Sequence, residues 1–294
     1  MFGLPSPACR LIINAPINTC KQNTTVDRYG NNVKTATGVQ GGSAYHLHQT
    51  ILHMLRSTCA SASIPSTAGT NMFLPAFNSI GPDEAGNIAR QMQRIIPDAI
   101  FRVVDTAGNT SSIMADVKSL CSEQERYRNK TFSEGVRTRE QEVNRDYRNH
   151  ARKMDLHINQ TPPGTIGPAE EILNRYGLEK GYGCTGFISG KHGNLSSAFI
   201  TLRDLIAEKR ATKFAQYYNT PRAQVVGMFK SEVNQCWGLT IARAWARFLL
   251  TRIQDLVLDY RAVRGPGAQI LRRHFYRERD KRFSTFGNSR RHLI

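Results

Sequence analysis

The segment RIIPDAIFRVVDTAGNTSSIMADVKSL, residues 94–120, constrains the fold of this chain most strongly. Two apolar runs, 95–104 and 111–117, flank the polar stretch DTAGNTS. Because β-branched residues favour strands and Asp, Gly, Asn and Ser favour turns, the segment predicts a β-hairpin. A fold for this chain must therefore accommodate two adjacent antiparallel strands near the middle of the sequence.

Charged residues stand at matching ends of the two predicted strands. Asp98 lies near the start of the first strand, and Asp116 and Lys118 lie at the end of the second. Strand alternation puts Asp116 and Lys118 on one face and directs Val117 into the core. The carboxylates can then converge on one cation beside Lys118. The alternative is a turn-ending Asp98 and an exposed Asp116–Lys118 ion pair, which contributes little to stability.

Outside the hairpin, the sequence predicts helices alternating with strands. Apolar residues at helical spacing follow Ser43, a plausible cap, and Pro82 stands where a second helix would begin. The predicted order is a helix at 43–60, an edge strand at 71–77, a helix from Pro82, the hairpin, a long charged helix at 137–158, a short helix from Pro168, a buried strand at 181–189, a helix at 195–218 and a helical C-terminal third. The class is therefore α/β, with mixed α+β character.

The order of these elements and four residues of the hairpin resemble a known superfamily. Pro97, Asp98, Asp116 and Lys118 match the motif of the PD-(D/E)xK nucleases, the restriction-endonuclease-like superfamily, over roughly residues 43–210. The resemblance implies an α-β-β-β-α-β core. It also implies that Asp98, Asp116 and the Val117 carbonyl hold Mg²⁺, or Mn²⁺ in its place, and that Lys118 orients the attacking water. Mg²⁺ suits such a site because it prefers oxygen ligands.

The sequence departs from the superfamily pattern in two places. Many members carry an acid on the first core helix, but the predicted helix 43–60 has none. Glu84 is the best substitute as a fourth catalytic residue, and Asp83 competes with it. The Gln-x3-Tyr element of exonuclease-type relatives is also absent, because Gln141 and Tyr147 are six positions apart. This spacing argues against a processive exonuclease.

A large positive charge indicates a polyanionic partner. The chain has 294 residues with 40 Lys and Arg against 23 Asp and Glu, which gives a net charge of +17. From Arg261 onward there are ten basic residues against two acidic ones, with aromatic residues between them. Such a segment suits phosphate contacts and base stacking, and double-stranded DNA is the expected partner. The candidate contacts are Arg148, Arg152, Lys153, Lys191, Arg243, Arg247, Arg272, Arg273 and Arg277, for which a plain solvated surface is the alternative.

These patterns divide the chain into three predicted regions: an arm at 1–42, the nuclease-like core at 43–218 and a helical, basic nucleic-acid-binding region at 219–294. His46 and His53 could share one helix face, but no carboxylate accompanies them, so a structural or phosphate-contacting role is favoured over a metal site. The six cysteines are scattered without a C-x-x-C pair, and no run has the length of a membrane span. We therefore expect no membrane, and an intracellular location in the nucleus or another DNA-containing compartment.

Two readings of function remain open. The first is an Mg²⁺-dependent DNA endonuclease. The segments DYRNHARKMD, GTIGPAEEIL and GYGCTGFIS also resemble nuclease-like reading frames of protist mobile elements, which implies a site-specific, homing-type enzyme. The second is a non-catalytic basic nucleic-acid-binding protein, of ribosomal, organellar or virion type, with a decayed or accidental motif. A homodimer is compatible with cutting two strands, but no residue pattern indicates one.

Overall fold

The computed structural model describes part of the chain. Its described residues are 13–14, 17, 25–28, 33, 43–68, 96–104, 110–121, 127, 129–176, 184–190 and 193–263. Internal contacts divide the chain into two compact units, one of Tyr45–Trp245 and the other of Met1–Ala44 with Ala246–Ile294. The sheet and the candidate site described below belong to the first unit. The three-part division expected from the sequence stays a prediction.

The described residues form a mixed α/β structure, which confirms the predicted class. Five α-helices accompany one four-stranded sheet. The elements are α1 (Ser43–Ser61), β1 (Ser66–Thr67), β2 (Ala99–Val104), β3 (Thr110–Leu120), α2 (Phe132–His157), α3 (Pro168–Arg175), β4 (Thr185–Gly190), α4 (Ser197–Phe214), a 3₁₀ turn (Ala215–Tyr217) and α5 (Arg222–Val263). Within these described elements, no helix combines the length and the apolar character needed to cross a membrane.

The sheet has the order β1-β2-β3-β4, so strand order follows chain order. The β1–β2 and β2–β3 pairs are antiparallel, and β4 pairs with β3 in parallel. A parallel neighbour needs a crossover connection, which α2 and α3 supply. In the register, Ala99 faces Ala115 and Asp116 faces Gly186. β3 therefore pairs with β2 in the hairpin on one side and with β4, the strand after the crossover, on the other.

Most predicted elements are confirmed. The hairpin, the helix after Ser43, the long charged helix, the helix that begins at Pro168 and the C-terminal helix all occur. The short strand β1 was missed, because two polar residues carry no periodic pattern. The predicted strand at 71–77 and the helix from Pro82 lie outside the described residues.

Aromatic side chains fill the core on one face of the sheet. Phe101 of β2, Phe187 of β4, Phe199 of α4 and Trp237 of α5 form a row of edge-to-face contacts, with centroid separations of 6.1, 5.4 and 5.5 Å. The Trp237 Nε1–H donates to Thr58 Oγ1 of α1 at 3.0 Å, which satisfies its buried polar end. Helices α4 and α5 are thereby packed on this face. Val117 of β3 is fully buried, as alternation predicts.

Helix α2 covers the opposite face. Met114 packs in a cluster with Tyr147 of α2, and Ile188 packs in another with Val136. Residues at even numbers in β3 point to this face, because side chains alternate along a strand. Asp116 therefore shares the face of the sheet that α2 covers.

The crossover depends on a buried carboxylate. Asp155, near the end of α2, accepts the backbone N–H groups of Ala169 and Glu170 at 2.8 and 2.9 Å, and the Asn159 amide at 2.8 Å. It thus satisfies N–H groups that the start of α3 would otherwise leave without partners. Gly167 is required beside it, because a Cβ there would lie 2.3 Å from the Asp155 Cγ.

Asp155→Ala should lower the free energy of unfolding by about 2–4 kcal/mol, since it removes a helix cap and leaves buried N–H groups without partners. Urea unfolding followed by circular dichroism measures this loss. The matched control is Glu171→Ala, which removes an exposed acid of α3 paired with Arg175. It should change stability by less than about 0.5 kcal/mol. Equal losses for both variants would contradict the capping role.

Candidate active site

The register of the hairpin brings the two predicted carboxylates together. Ala99 pairs with Ala115, so Asp98, one residue before β2, lies across from Asp116. Directly opposed residues of antiparallel strands point to the same face. The charge of Asp98 disfavours ionisation of Asp116, as expected for two carboxylates close together. The structure therefore brings Asp98 and Asp116 onto one face.

Lys118 joins this pair, as strand alternation predicts. Its Nζ lies 2.8 Å from Asp116 Oδ1 and 2.7 Å from Oδ2. The Asp116 side chain is 6% exposed and that of Lys118 is 33% exposed. The ammonium therefore lies at the boundary between the buried carboxylate and solvent, where a ligand from solution can reach it.

A closed cycle of three groups lies on the other side of Asp98. The Val117 N–H donates to Asp98 Oδ2 at 2.6 Å, and His48 Nε2 lies 3.1 Å from Asp98 Oδ1. His48 Nδ1 lies 3.1 Å from the Val117 carbonyl oxygen and completes the cycle. Both partners of the imidazole are acceptors, so the doubly protonated ring satisfies both contacts. The cycle holds the Asp98 carboxylate against β3.

Charges in the cycle shift the acid–base behaviour of its members. The hydrogen bond to Asp98 raises the pKa of His48 above its usual value, against the opposing effect of burial. Burial alone would raise the pKa of Asp98, but the hydrogen bonds from His48 and the Val117 N–H outweigh it and hold the pKa below its usual value. Asp98 is thus kept ionised beside a cationic ring.

Asp116 behaves in the opposite way. Burial raises its pKa to about 6, and the neighbouring Asp98 charge acts in the same direction, while Lys118 opposes both. Two carboxylates that share a site commonly have pKa values driven apart in this manner. A cation placed between them would relieve the repulsion and favour the ionised form of both.

Tyr147 and Cys184 bury the site from the side of α2. The Tyr147 hydroxyl donates to the Ile96 carbonyl at 3.1 Å, just ahead of Asp98. Burial raises the pKa of Tyr147 and of Cys184 far above their usual values, so both stay neutral. Two neutral, buried side chains thus lower the polarity around Asp116 and strengthen its interactions with nearby charges.

The donor atoms of this site fit Mg²⁺. Two carboxylates and the Val117 carbonyl are hard oxygen ligands, and Mg²⁺ is commonly bound by one or two carboxylates plus waters and phosphate oxygens. Each carboxylate oxygen keeps lone pairs beyond the hydrogen bonds it accepts. Within the described ranges, no group of three or more His, Cys, Asp or Glu side chains is arranged to hold a metal ion. A cation here would therefore need oxygen ligands from the substrate or water.

The remaining predicted residues are spread over the molecule. Arg152 is bound by the buried Glu170 at 2.9 Å, Arg148 is half-buried, and Lys153, Arg243 and Arg247 are exposed. None of these five is among the partners of the two carboxylates given above. Glu84, its competitor Asp83, Lys191, Arg272, Arg273 and Arg277 lie outside the described residues.

His48 was missed as a site residue, although the helix that carries it was predicted. Sequence analysis considered His46 and His53 as a pair on one face, whereas the structure brings His48 to Asp98. The signal was its position: Ile51, Leu52 and Leu55 stand three, four and seven residues later and are buried. A polar residue in line with an apolar stripe faces the interior and needs a partner there.

Comparisons of the chain with protein-family models, with curated proteins and with solved structures found no match.

Asp116→Asn should stabilise the protein at pH 8 by on the order of 1–3 kcal/mol, because the ionised carboxylate is disfavoured in the folded state. The pKa of Asp116 is about 6 when folded and 3.8 in the unfolded chain. Wild-type stability therefore declines as pH rises from about 4 to about 6, and the advantage of the variant grows over the same window. Urea midpoints at pH 4, 6 and 8 measure it. An advantage equal at all three pH values would contradict the raised pKa.

His48→Ala should lower stability by about 1–3 kcal/mol, because it removes the imidazole that contacts the Val117 carbonyl and Asp98 Oδ1. His53→Ala, on the exposed side of the same helix, is the matched control and should stay within about 0.5 kcal/mol of wild type. Thermal unfolding of the two variants side by side decides the matter, and a larger loss for His53→Ala would refute the assigned role of His48.

Proposed function

We propose that this chain is an Mg²⁺-dependent endonuclease that hydrolyses phosphodiester bonds in DNA, with Mn²⁺ able to substitute. One observation carries the proposal: Asp98 and Asp116 lie on adjacent strands on one face of the sheet, with Lys118 against Asp116. Phosphodiester hydrolysis needs oxygen ligands for a cation and a positive group near the developing charge. These three side chains supply both.

The topology supports the same class. Within the described residues, the elements run α1, β1, β2, β3, α2, α3, β4. This order agrees with the α-β-β-β-α-β core of the restriction-endonuclease-like superfamily if the short α3 is an addition to the crossover. The carboxylates also stand where that superfamily carries them, at the start of one hairpin strand and the end of the next. Assignment to the superfamily is part of the proposal.

Each residue has a distinct task in this mechanism. Bound Mg²⁺ would neutralise charge on the scissile phosphate and lower the pKa of a bound water. Asp98, Asp116 and the Val117 carbonyl would hold it. Lys118 Nζ is exposed enough to exchange its contact with Asp116 for a hydrogen bond to a phosphate oxygen or to the attacking water, which it would orient. His48 positions the Asp98 carboxylate through its contact with Oδ1.

In this proposal, α1 contributes an imidazole where many superfamily members contribute an acid. His48 cannot add a negative charge to the site, so the number of metal-binding carboxylates supplied by the described residues is two. Glu84 stays a prediction for a third. With two acids and one carbonyl, binding of a single ion completed by phosphate oxygens and waters is the simplest arrangement.

The wider biological setting is also proposed. The net charge of +17 and the basic C-terminal segment favour DNA as substrate, and the segments similar to mobile-element reading frames favour a site-specific, homing-type enzyme acting in the nucleus or another DNA-containing compartment. A homodimer would provide two active sites, one for each strand of the DNA.

A non-catalytic nucleic-acid-binding protein is the second candidate, and a specific observation favours it. In the described site, His48 and Lys118 already neutralise Asp98 and Asp116, so the four charges balance without a metal ion. A decayed nuclease motif whose charged groups pair only with one another would have this appearance. It predicts salt-dependent DNA binding with no cleavage in any divalent metal.

Asp98→Asn and Asp116→Asn should each reduce cleavage by about 10²–10³-fold or more, since each removes a metal ligand worth several kcal/mol to the transition state. Lys118→Met should act similarly. Nicking of supercoiled plasmid in Mg²⁺, with a chelator control, measures the effect, and gel shifts should show DNA binding unchanged or tighter when a carboxylate is lost.

The control for these variants is Asp146→Asn, an exposed acid of α2. It should cleave as wild type does. If wild type fails to cut a mixed-sequence DNA library in Mg²⁺ or Mn²⁺ while binding it, the enzyme proposal is wrong and the binding protein is the better description.

A further inference from the structure

The loop that joins α2 to α3, residues 158–167, has a backbone fixed by hydrogen bonds. The Thr165 N–H donates to the Pro162 carbonyl at 3.2 Å, and the Thr165 hydroxyl donates to the same oxygen at 2.6 Å. Pro163 and Gly164 occupy the central positions of this turn, and the φ of Gly164 is 87°. Proline followed by a residue of positive φ is typical of a type II turn. The loop is therefore preorganised before any partner binds.

Apolar side chains of this loop are exposed and grouped. Pro162 and Pro163 are exposed, and 65% of the Ile166 surface is accessible to solvent. Leu156, in the last turn of α2, is 45% exposed. All four line one cleft of about 600 Å³ between α2, the loop and α3. A group of exposed apolar residues rimmed by charged ones marks a site of interaction with another molecule.

Positive side chains border the same cleft. Arg148 and Arg152 line it, and Arg152 keeps 61% of its side chain exposed within its ion pair to α3. Arg145 precedes these two by three and seven residues, so it shares their face of α2, and it is 67% exposed. Asp146, the one exposed acid in the second half of α2, points to a different face. A polyanion is therefore the partner whose charge matches this surface.

We propose that this loop inserts Ile166 into the minor groove of duplex DNA, with the three arginines of α2 on the phosphates beside it. The minor groove is about 6 Å wide, which is too narrow for a helix but admits a single turn or side chain. Isoleucine and proline are among the apolar residues that proteins insert between base pairs there, and the insertion kinks the duplex. The inference rests on the proposed function for its DNA partner and is independent of cleavage.

A kink at this loop determines how the duplex meets the candidate active site. Helix α2 carries the arginines on its outer face and Tyr147 on its buried face, where the Tyr147 hydroxyl donates to the Ile96 carbonyl, two residues before Asp98. The loop that follows α2 is fixed to it by Asp155, which accepts the first N–H groups of α3. The position of the kink relative to the carboxylates is therefore set by the fold.

Fluorescence energy transfer between dyes at the two ends of a duplex of about 40 base pairs measures the bend. Such a duplex is shorter than the persistence length of DNA, so it stays nearly straight without protein. A TA step, which is easily kinked, is placed at its centre. In a buffer with chelator, so that no strand is cut, the full-length wild-type chain should raise the transfer efficiency, as expected for a bend of about 20–90°.

Ile166→Ser should remove most of the bend and weaken binding about tenfold, since a small polar side chain replaces the apolar wedge. Its unfolding midpoint should match that of wild type, because the side chain it changes is exposed. The matched control is Ile200→Ser, which changes an isoleucine of α4 that is 45% exposed. This control should bind and bend the duplex as wild type does.

Arg145→Gln separates the phosphate contacts from the wedge. It removes one exposed cation and should reduce the slope of log affinity against log salt concentration by about 0.9, the change expected for one phosphate contact. Ile166→Ser removes no charge and should keep the wild-type slope. Equal slopes in wild type and Arg145→Gln would overturn the placement of α2 on the phosphates.

The bending assay and the cleavage assay can fail separately. A duplex that wild type binds without bending, or that Ile166→Ser bends equally, would overturn the inference and leave the loop to a protein partner, while the endonuclease proposal would stand. Bending without any cleavage in Mg²⁺ or Mn²⁺ would refute only the endonuclease. No binding of the duplex at low salt would overturn both.

Discussion

The hydrogen-bonded cycle of Val117, Asp98 and His48 is the interaction on which the site depends. β3 continues to Leu120, whereas β2 begins only at Ala99, so part of β3 extends beyond its antiparallel neighbour. At Val117 the Asp98 carboxylate and the His48 imidazole take the places of the missing strand's carbonyl and N–H. An edge position that would otherwise be solvated is thereby closed by side chains. The same contacts fix the Asp98 carboxylate across from Asp116.

Asp116 shows the energetic conflict that this arrangement creates. Its side chain is 6% exposed and lies next to another carboxylate, yet the compensating ammonium of Lys118 reaches it from the solvent side. Cores usually avoid such acids because burial disfavours the charged form. The buried Asp116 carboxylate therefore lowers the stability of the fold. The aromatic core and the capped α3 helix compensate by stabilising the surrounding structure. Destabilised charge at a sheet edge is common where proteins bind cations or carry out chemistry.

Local sequence patterns made the hairpin and most helices predictable, whereas the surroundings of the site depend on packing between distant segments. Alternation in Asp116, Val117 and Lys118 was enough to predict which side chains share a face, because the period of a strand is independent of its neighbours. The burial of Asp116 was not predictable, since it depends on α2, which begins sixteen residues later in the sequence. His48 could not be told from an ordinary core histidine by helical spacing alone.

The parallel pairing of β3 with β4 has a consequence for synthesis of the chain. The antiparallel hairpin can form as soon as Leu120 has emerged, but its parallel partner begins only at Thr185. Until then, the edge of β3 that pairs with β4, which includes Ala115, Val117 and Leu120, lacks its neighbour and can pair with other chains. A nascent or truncated chain that ends within the crossover thus exposes an unpaired strand edge that is prone to aggregation. The charged end of β3, with Asp116 and Lys118, then acts as a gatekeeper beside the residues most prone to aggregate.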